Sequence, residues 1–266
     1  MSSGAPALRI FSYLPNPRLA KATIAARLSG IALEIRGAKP SELAGWLWDF
    51  DARPLAAGEA ASSASGVTAR TGFVGTLHKT DAFLAAHPFG TVPAAFSPDG
   101  AVGIFESNAI ARAVARLAPP GKGLYGDDAY QASRIDGFLD ASLVFAREAQ
   151  IYLLDLGARR VTPATHERAR TARDAYLEGI DRALAPHREV LVGDSLTLAD
   201  VVFATELALF SAERAHRDPR EAAGLAPLYG PFLRDPHPRA IAHFDRLCAH
   251  PAFAPDLGPY LEKYRG

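Results

Sequence analysis

HPFGTVPAAFSPDGAVGIFESNAIARAVARL, residues 87–117, carries the densest structural signal in this chain. Two short apolar runs in it are separated by the turn residues 97–100, Ser-Pro-Asp-Gly, and this arrangement predicts an antiparallel β-hairpin. Ile110, Val114 and Leu117 then follow at helical spacing. An amphipathic helix is therefore predicted to begin at the serine that follows the second strand.

Two residue pairs in this stretch point to ligand binding. Val92-Pro93 stands at a strand start, where a cis bond would turn the N–H and C=O of the valine outward to pair with an extended peptide. Glu106-Ser107 stands at a helix start, whose free N–H groups favour anions. There a serine can hold a carboxylate while a glutamate meets an ammonium, which suits an α-amino acid head group. The plainer alternatives are a trans proline and an ordinary helix cap.

The residues before this stretch predict a strand, helix, strand unit. LRIFSYL, residues 8–14, is an apolar run stopped by Pro-Asn-Pro, and helical spacing follows over 18–28 with Gly30 as the C-cap. IALEIRG predicts a second strand, parallel to the first. A short helix in KTDAFLAAHPFG then leads into the hairpin. The N-terminal half is therefore predicted to run βαβ, loop, αββα.

Residues 40–72 interrupt this pattern. An aromatic cluster of Trp46, Trp48 and Phe50 precedes a stretch of small residues, LAAGEAASSASGVTARTG. Loops of this length inside a compact domain are usually functional lids or disordered segments. The segment is predicted to be an inserted loop, with two interpretations open: a mobile excursion with its aromatic rings on the surface, or a lid over a substrate pocket.

After LAPPGKG, a linker rich in Pro and Gly, the chain is predicted to be helical to its end. Long amphipathic segments cover residues 130–156 and 165–184. A third, nearly all-apolar helix has Thr197 as its N-cap and Asp200 as the reciprocal partner of a capping box. Such a box stabilises a helix start by about 1 kcal/mol.

Composition excludes several classes of protein. Lys plus Arg and Asp plus Glu number 29 each, so no field of one sign would concentrate nucleic acid or an anionic membrane at the surface. The single cysteine, Cys248, excludes an intrachain disulfide and a zinc site of several thiolates, and it fits a reducing compartment. The start does not match a signal peptide, and no apolar run has the length of a membrane span. We expect a cytoplasmic protein with no nucleic-acid or membrane partner.

Taken together, the Val-Pro and Glu-Ser pairs resemble the glutathione-binding motif of the glutathione transferase superfamily, roughly N-P-x-G-x-V-P followed by E-S-x-A-I. GDSLTLADV resembles the capping box and hydrophobic staple of the C-terminal domain in that superfamily. FSYLPNPRLAKATIAARLSG and FESNAIARAVARL are most similar to the transferase-like domain of the gamma subunit of eukaryotic elongation factor 1. The resemblance implies a thioredoxin-like α/β domain over 8–118, with the insert at about 40–72, and an all-α helical domain over 124–266.

Carried onto this chain, the resemblance assigns contacts to glutathione residue by residue. The residues concerned are Lys79, Thr91, Val92, Pro93, Glu106 and Ser107. Val92 would pair with the cysteinyl backbone of glutathione beside a cis proline, and Glu106 and Ser107 would hold the γ-glutamyl end. Lys79 stands where a basic residue could meet the glycyl carboxylate, although a solvated surface lysine is an equal alternative.

The residue that would activate the thiol is ambiguous. Members of the superfamily lower the pKa of the glutathione thiol by donating a hydrogen bond to the thiolate, usually from a Tyr or Ser hydroxyl near the end of the first strand, or they use a Cys. The candidates here are Ser12, Tyr13 and Asn16. Asn16 resembles the asparagine of transferases related to a yeast prion protein. No cysteine lies nearby, which argues against the redox branches of the superfamily.

The function implied is transfer or lysis, in which a glutathione thiolate attacks a small, hydrophobic electrophile and glutathione serves as cosubstrate. An alternative of a different class is a non-catalytic scaffold that uses the fold for protein interaction, as the elongation factor resemblance permits. The resemblance also implies a homodimer, and no metal is expected.

Overall fold

The structure is a computed structural model that describes residues 6–56, 59, 65–68, 72–73, 75–121 and 123–264. The chain divides into two compact units, Met1–Pro119 and Pro120–Gly266. The first unit combines strands and helices, and the second is helical.

The elements of the first unit alternate between strand and helix at both ends and include extra short strands in the middle. In chain order they are β1 (Leu8–Tyr13), α1 (Pro17–Ser29), β2 (Leu33–Ala38), a 3₁₀ helix (Pro40–Gly45), β3 (Trp46–Trp48), β4 (Arg53–Pro54), β5 (Ser65–Thr68), β6 (Thr76–Lys79), α2 (Asp81–Ala86), β7 (Ala94–Phe96), β8 (Gly103–Ile104) and α3 (Ser107–Leu117).

A four-stranded mixed sheet with the order β2-β1-β7-β8 forms the centre of this unit. β1 is parallel to β2, with α1 as the crossover between them, and antiparallel to β7. β7 and β8 form the antiparallel hairpin that the turn residues indicated. The predicted βαβ and αββα segments, and the thioredoxin-like α/β class, are confirmed.

Local signals explain where α1 begins and ends. The side chain of Asn16 accepts a hydrogen bond from the N–H of Arg18, and Pro17 occupies the first turn, where a missing N–H costs nothing. At the other end Gly30 adopts a left-handed φ of 75° and donates its N–H to the carbonyl of Ala26. The predicted C-cap is confirmed.

The end of β1 lies very close to β2. Ser12 pairs with Gly37 in the parallel ladder, and a Cβ added at Gly37 would lie 1.7 Å from the carbonyl oxygen of Ser12. Gly37 also has a φ of 151°. Because no other residue could adopt this approach without moving the backbone, Gly37 determines the position of the strand end that carries the thiol-activating candidates.

Residues 40–72 do not form a simple loop, and this part of the prediction was wrong. The 3₁₀ helix, β3, β4 and β5 lie within them, and a second four-stranded sheet has the order β4-β3-β6-β5. These strands have two to four residues each, too few for alternation to be visible, and β3 pairs with β6 from about thirty residues further along the chain. Residues 57–58, 60–64 and 69–71 lie outside the described part of the chain.

The aromatic residues of this segment do not all lie on the surface. Trp48 is 1% exposed and belongs to a core cluster with Phe11 and Phe83. Its indole N–H donates to the carbonyl of Leu43 at 3.0 Å, so the polar atom of the ring is satisfied inside the core. The interpretation as an excursion with surface aromatics fails for Trp48, and the lid interpretation stays a prediction.

The second unit consists of helices joined by turns and longer loops. In chain order they are α4 (Ala129–Gly157), α5 (Pro163–Ala183), α6 (Leu198–Phe210), a 3₁₀ helix (Ser211–His216), α7 (Arg217–Ala222), a 3₁₀ helix (Pro231–Leu233), α8 (Pro238–Ala249) and α9 (Ala254–Lys263). The two long amphipathic segments and the all-α class are confirmed. None of the helices in the described part of the chain combines the length and apolarity that crossing a bilayer needs.

The capping box at the start of α6 is present with both of its hydrogen bonds. The Asp200 carboxylate accepts N–H groups from Thr197 at 2.9 Å and from Leu191 at 3.0 Å, and it lies 2.9 Å from Nε2 of His243 on α8. Asp200 and His243 are both buried. The cap therefore also joins α6 to α8 and to the preceding turn.

Candidate functional site

The end of β1 and the start of β7 lie side by side at one edge of the first sheet. The two strands are antiparallel, with Phe11 opposite Ala94. Continuing that register by two residues brings Ser12 and Tyr13 beside the Val92-Pro93 pair that leads into β7. Two candidate regions that are about eighty residues apart in the sequence therefore meet at one strand edge.

The hairpin brings the second motif to the same edge. Ala95 lies opposite Ile104 in the β7-β8 ladder, so the residues that follow β8 run back beside those that precede β7. Continuing that register by two residues places Glu106 across from Pro93, and Ser107 follows it as the first residue of α3. Strand geometry thus unites three of the predicted parts of the site: the end of β1, the Val-Pro pair and the Glu-Ser pair.

The Val92-Pro93 peptide bond is cis, as predicted. Pro93 is buried, Val92 is half-buried and Thr91 is exposed. β7 begins only at Ala94, so the backbone of Val92 lies just outside the sheet ladder. The backbone of Val92 therefore lies at the end of β7, which is itself paired with β1 and β8, and pairing with an extended peptide needs a backbone that such a ladder does not already occupy.

Lys79 lies against the loop that precedes this proline, and it is not a solvated surface lysine. Its side chain is 8% exposed. The ammonium donates to the carbonyl of Gly90 at 2.7 Å and lies 4.8 Å from the centroid of the Trp48 ring. The surface alternative is wrong, because Lys79 is the last residue of β6 in the second sheet and lies against the Trp48 ring and the Gly90 carbonyl. Its contact with a glycyl carboxylate remains a prediction.

Ser107 is the first residue of α3 and is 7% exposed. Glu106 before it has an exposed side chain and a left-handed backbone, with φ 68° and ψ 124°. Glu106 occupies the N-cap position of α3 and its carbonyl accepts from the N–H of Ile110, but its side chain makes no capping hydrogen bond. Positive φ is rare for a residue with a long side chain and is a feature of functional sites.

Sequence reasoning missed Lys21, which touches the Glu-Ser motif from inside the unit. Lys21 lies on α1 and is fully buried, and its Nζ donates to Ser107 Oγ at 3.0 Å and to Asn108 Oδ1 at 2.7 Å. A signal was available: the residues four positions before and after it, Pro17 and Ala25, are both apolar. A lysine on the apolar side of a helix is unusual unless it has partners.

The three candidates for thiol activation occupy different environments. Ser12 is fully buried and accepts a hydrogen bond from Nδ2 of Asn16 at 3.0 Å. The oxygen of the same amide caps α1 through Arg18, so Asn16 has a structural role. Tyr13 is half-buried and its ring meets that of Phe73 edge to face, 6.2 Å between centroids. Of the three, Tyr13 has the most exposed side chain.

Thiol chemistry by the protein itself is not supported at its cysteine. Cys248 lies on α8 in the second unit, and burial raises the pKa of its thiol to about 12. The nucleophilic thiolate is therefore scarce at neutral pH. Among the residues that the structure describes, no group of three His, Cys, Asp or Glu side chains could hold a metal ion.

Solved structures share this architecture. A glutathione S-transferase from Methylobacterium radiotolerans, solved in complex with glutathione sulfonate, superposes with a TM-score of 0.61 and 19% identity, over 94% of each chain. Ure2p in complex with glutathione superposes with a TM-score of 0.59 and 17% identity, over 96% of this chain and 100% of its own. At these identities the likeness establishes the fold.

Sequence relatives are closer. No protein-family model matches the chain. Elongation factor 1-gamma 3 of Oryza sativa subsp. japonica is 38% identical over 136 residues, half of this chain but only 32% of the elongation factor. The glutathione S-transferase-like protein FUS3 of Gibberella moniliformis is 31% identical over 203 residues, 74% of each protein. Because that identity extends over about three quarters of both proteins, the chain belongs to the glutathione transferase superfamily.

Proposed function

We propose that this protein binds glutathione at the edge of its first sheet and transfers the glutathionyl group to a small electrophile. The observation that carries the proposal is the convergence of the Val92-Pro93 pair, the Glu106-Ser107 pair and the end of β1 at that edge. The matched relatives and the glutathione complexes among the similar structures support it.

In this proposal the peptide backbone of glutathione pairs with the N–H and C=O of Val92, as an added strand does. Ser107 and the first N–H groups of α3 receive the γ-glutamyl carboxylate, because a helix start offers unpaired donors. Glu106, with its exposed carboxylate, meets the ammonium of the same group. Lys79, which lies against Gly90 just before this motif, meets the glycyl carboxylate, and Thr91 contributes to the same end of the site.

The chemical step is thiolate attack. Bound glutathione gives up its S–H proton to solvent, the sulfur lone pair forms the new carbon–sulfur bond, and the leaving group departs with the electrons of its bond. A hydroxyl that donates to the sulfur stabilises the thiolate and raises its population near neutral pH. We assign this donor to Tyr13, since Ser12 is buried and the amide of Asn16 holds α1 in place.

Calorimetry with glutathione and an assay with an aryl halide test the proposal. We expect binding at millimolar glutathione or below and enzyme-dependent loss of the halide. Ser107→Ala should weaken binding about tenfold or more, because a hydrogen bond to a charged group is lost. Ser29→Ala is the matched control: this buried serine of the same unit donates only to its own helix, at Ala25. No binding by the wild-type protein would overturn the proposal.

A non-catalytic scaffold is the second candidate, and the match to elongation factor 1-gamma favours it. It shares the glutathione site and differs in the chemical step. This candidate would be established if the protein binds glutathione, does not lower the pKa of its thiol and turns over no electrophile of several classes. Turnover that is lost on removing the thiol donor would exclude it.

We further propose that the protein is a homodimer and that it acts in the cytoplasm. Membership of the superfamily supports both proposals. Light scattering tests the first and cell fractionation the second.

A further inference from the structure

A buried ammonium lies directly behind the serine that we assign to the γ-glutamyl carboxylate. Lys21 is fully buried on α1, and its Nζ donates to Ser107 Oγ at 3.0 Å and to Asn108 Oδ1 at 2.7 Å. An ammonium carries three donors and no acceptor. Both oxygens must therefore accept from it, and this fixes the hydrogen-bonding roles of the first two residues of α3.

The contact determines the direction in which Ser107 can donate. A hydroxyl has one proton to donate and two positions at which it accepts. Because Lys21 occupies an accepting position, the hydroxyl proton must point to a different atom. Asn108 is oriented in the same way, since its oxygen faces Lys21 and its NH₂ group points elsewhere. Ser107 is thus prepared as a donor before a ligand arrives.

The charge of Lys21 acts at the same place. The start of α3 carries the positive end of the helix dipole, and the ammonium reinforces it. An oxygen that accepts from Ser107 would lie within about 6 Å of Lys21 Nζ. Buried protein separates the two, and there opposite charges attract more strongly than in water. The combination favours a carboxylate over a neutral group.

We propose that Lys21 is a positioning residue for the α-carboxylate of the γ-glutamyl group. It orients the Ser107 hydroxyl toward that carboxylate and adds a positive charge behind it. This proposal rests on the proposed function. It adds that Lys21 contributes to the affinity only for ligands that carry this carboxylate.

Three peptides and three variants provide the test. The peptides are glutathione, 4-aminobutyryl-Cys-Gly, which lacks only the α-carboxylate, and glutaryl-Cys-Gly, which lacks only the amine. Lys21→Met removes the charge at similar length, Lys21→Arg keeps it, and Ser29→Ala is the control on the same helix. Calorimetry should show that Lys21→Met lowers the affinity for glutathione and for glutaryl-Cys-Gly about tenfold or more. Lys21→Met should leave the affinity for 4-aminobutyryl-Cys-Gly unchanged. Lys21→Arg should recover part of the affinity for glutathione that Lys21→Met loses.

An equal loss for all three peptides in Lys21→Met would mean that the lysine only supports the fold, and the proposal would be wrong. Failure of the wild-type protein to bind any peptide refutes the proposed function instead, so the two failures are distinguishable. A measurement on the wild-type protein needs no variant to fold. The Cε and Nζ NMR signals of Lys21 should shift on adding glutathione and stay in place with 4-aminobutyryl-Cys-Gly. Signals that do not respond to glutathione, in a protein that binds it, overturn the proposal.

Discussion

Tyr13 is the residue to which we assign activation of the thiol, and its removal should be visible in the pKa of bound glutathione. One hydrogen bond to a thiolate contributes about 1.5–3 kcal/mol, which corresponds to about one or two pKa units. Tyr13→Phe should raise the thiol pKa by that amount, measured by thiolate absorbance during a pH titration. Glutathione affinity at low pH should change little, because the neutral thiol does not need the donor.

Ser12→Ala separates this assignment from its nearest alternative. Ser12 accepts from Asn16, so its loss should disturb the start of α1 and leave the thiol pKa unaltered. A raised thiol pKa in Ser12→Ala and a normal one in Tyr13→Phe would transfer the role to the serine.

Glu106 combines a site role with an unfavourable backbone. A non-glycine residue at φ 68° costs roughly 1–3 kcal/mol relative to a relaxed conformation. Both Glu106→Gly and Glu106→Ala lose the carboxylate. In chemical denaturation the free energy of unfolding of the glycine variant should be about 1 kcal/mol higher than that of the alanine variant. The two variants should lose glutathione affinity alike. If alanine and glycine give equal stability, strain at this position is absent.

His87 should make the stability of the first unit dependent on pH. The ring is buried against Phe83 and Phe96, and burial lowers its pKa from 6.5 to about 4. Between pH 4 and pH 6.5 the unfolded chain therefore binds more protons than the folded chain does. Stability should rise with pH across this window and fall by up to about 3 kcal/mol as pH drops from 6.5 to 4.

Denaturation of the wild-type protein and of His87→Leu at several pH values isolates this contribution. Burial also lowers the pKa of His216 and His237, but both remain in the variant, so the difference between the two proteins belongs to His87. The difference should shrink as the pH falls. A difference that is independent of pH would show that the histidine titrates normally.

At the level of elements, the start of α6 depends on one buried carboxylate. Asp200 accepts from Thr197 and Leu191 and meets His243. Asp200→Asn replaces one carboxylate oxygen by an NH₂ group. That buried group cannot accept the hydrogen bonds that the carboxylate oxygen receives. We expect a loss of about 2–4 kcal/mol in the free energy of unfolding.

Asp194→Asn provides the matched control for α6, because Asp194 is exposed and only six positions earlier. It should change stability by less than about 0.5 kcal/mol. Similar effects of the two substitutions would mean that net charge and not the buried cap is responsible.

For the whole molecule, the prediction concerns self-association. Phe89 is 70% exposed and Tyr130 is 87% exposed, and a dimer interface would be expected to cover large apolar side chains of this kind. Light scattering at micromolar concentration should give twice the mass of one chain. Phe89→Ser or Tyr130→Ser should shift the equilibrium toward the monomer if the residue lies in the interface. A single-chain mass for the wild-type protein would contradict the dimer.

Features that depend on a few neighbouring residues could be predicted from the sequence. The hairpin turn, the glycine that ends α1 and the box that begins α6 are local, because each bonds atoms only a few positions apart. Val92, Pro93, Glu106 and Ser107 were located for the same reason, since their motif lies in one hairpin and the helix that follows. The sequence alone therefore determined the fold class and the residues at which glutathione binding is proposed.

Tertiary structure alone decided the second sheet, the burial of Lys79 and the contact between Lys21 and Ser107. β3 and β6 are too short for periodicity, and their pairing depends on a core that forms around Trp48. Lys21 and Ser107 are 86 positions apart, and they meet because α1 and α3 pack together. A buried charge is tolerated only where packing supplies its partners. The role of Lys21 could not be determined before the two helices were placed. A cap or a turn can be predicted earlier, because its hydrogen-bonding partners lie within the same short segment.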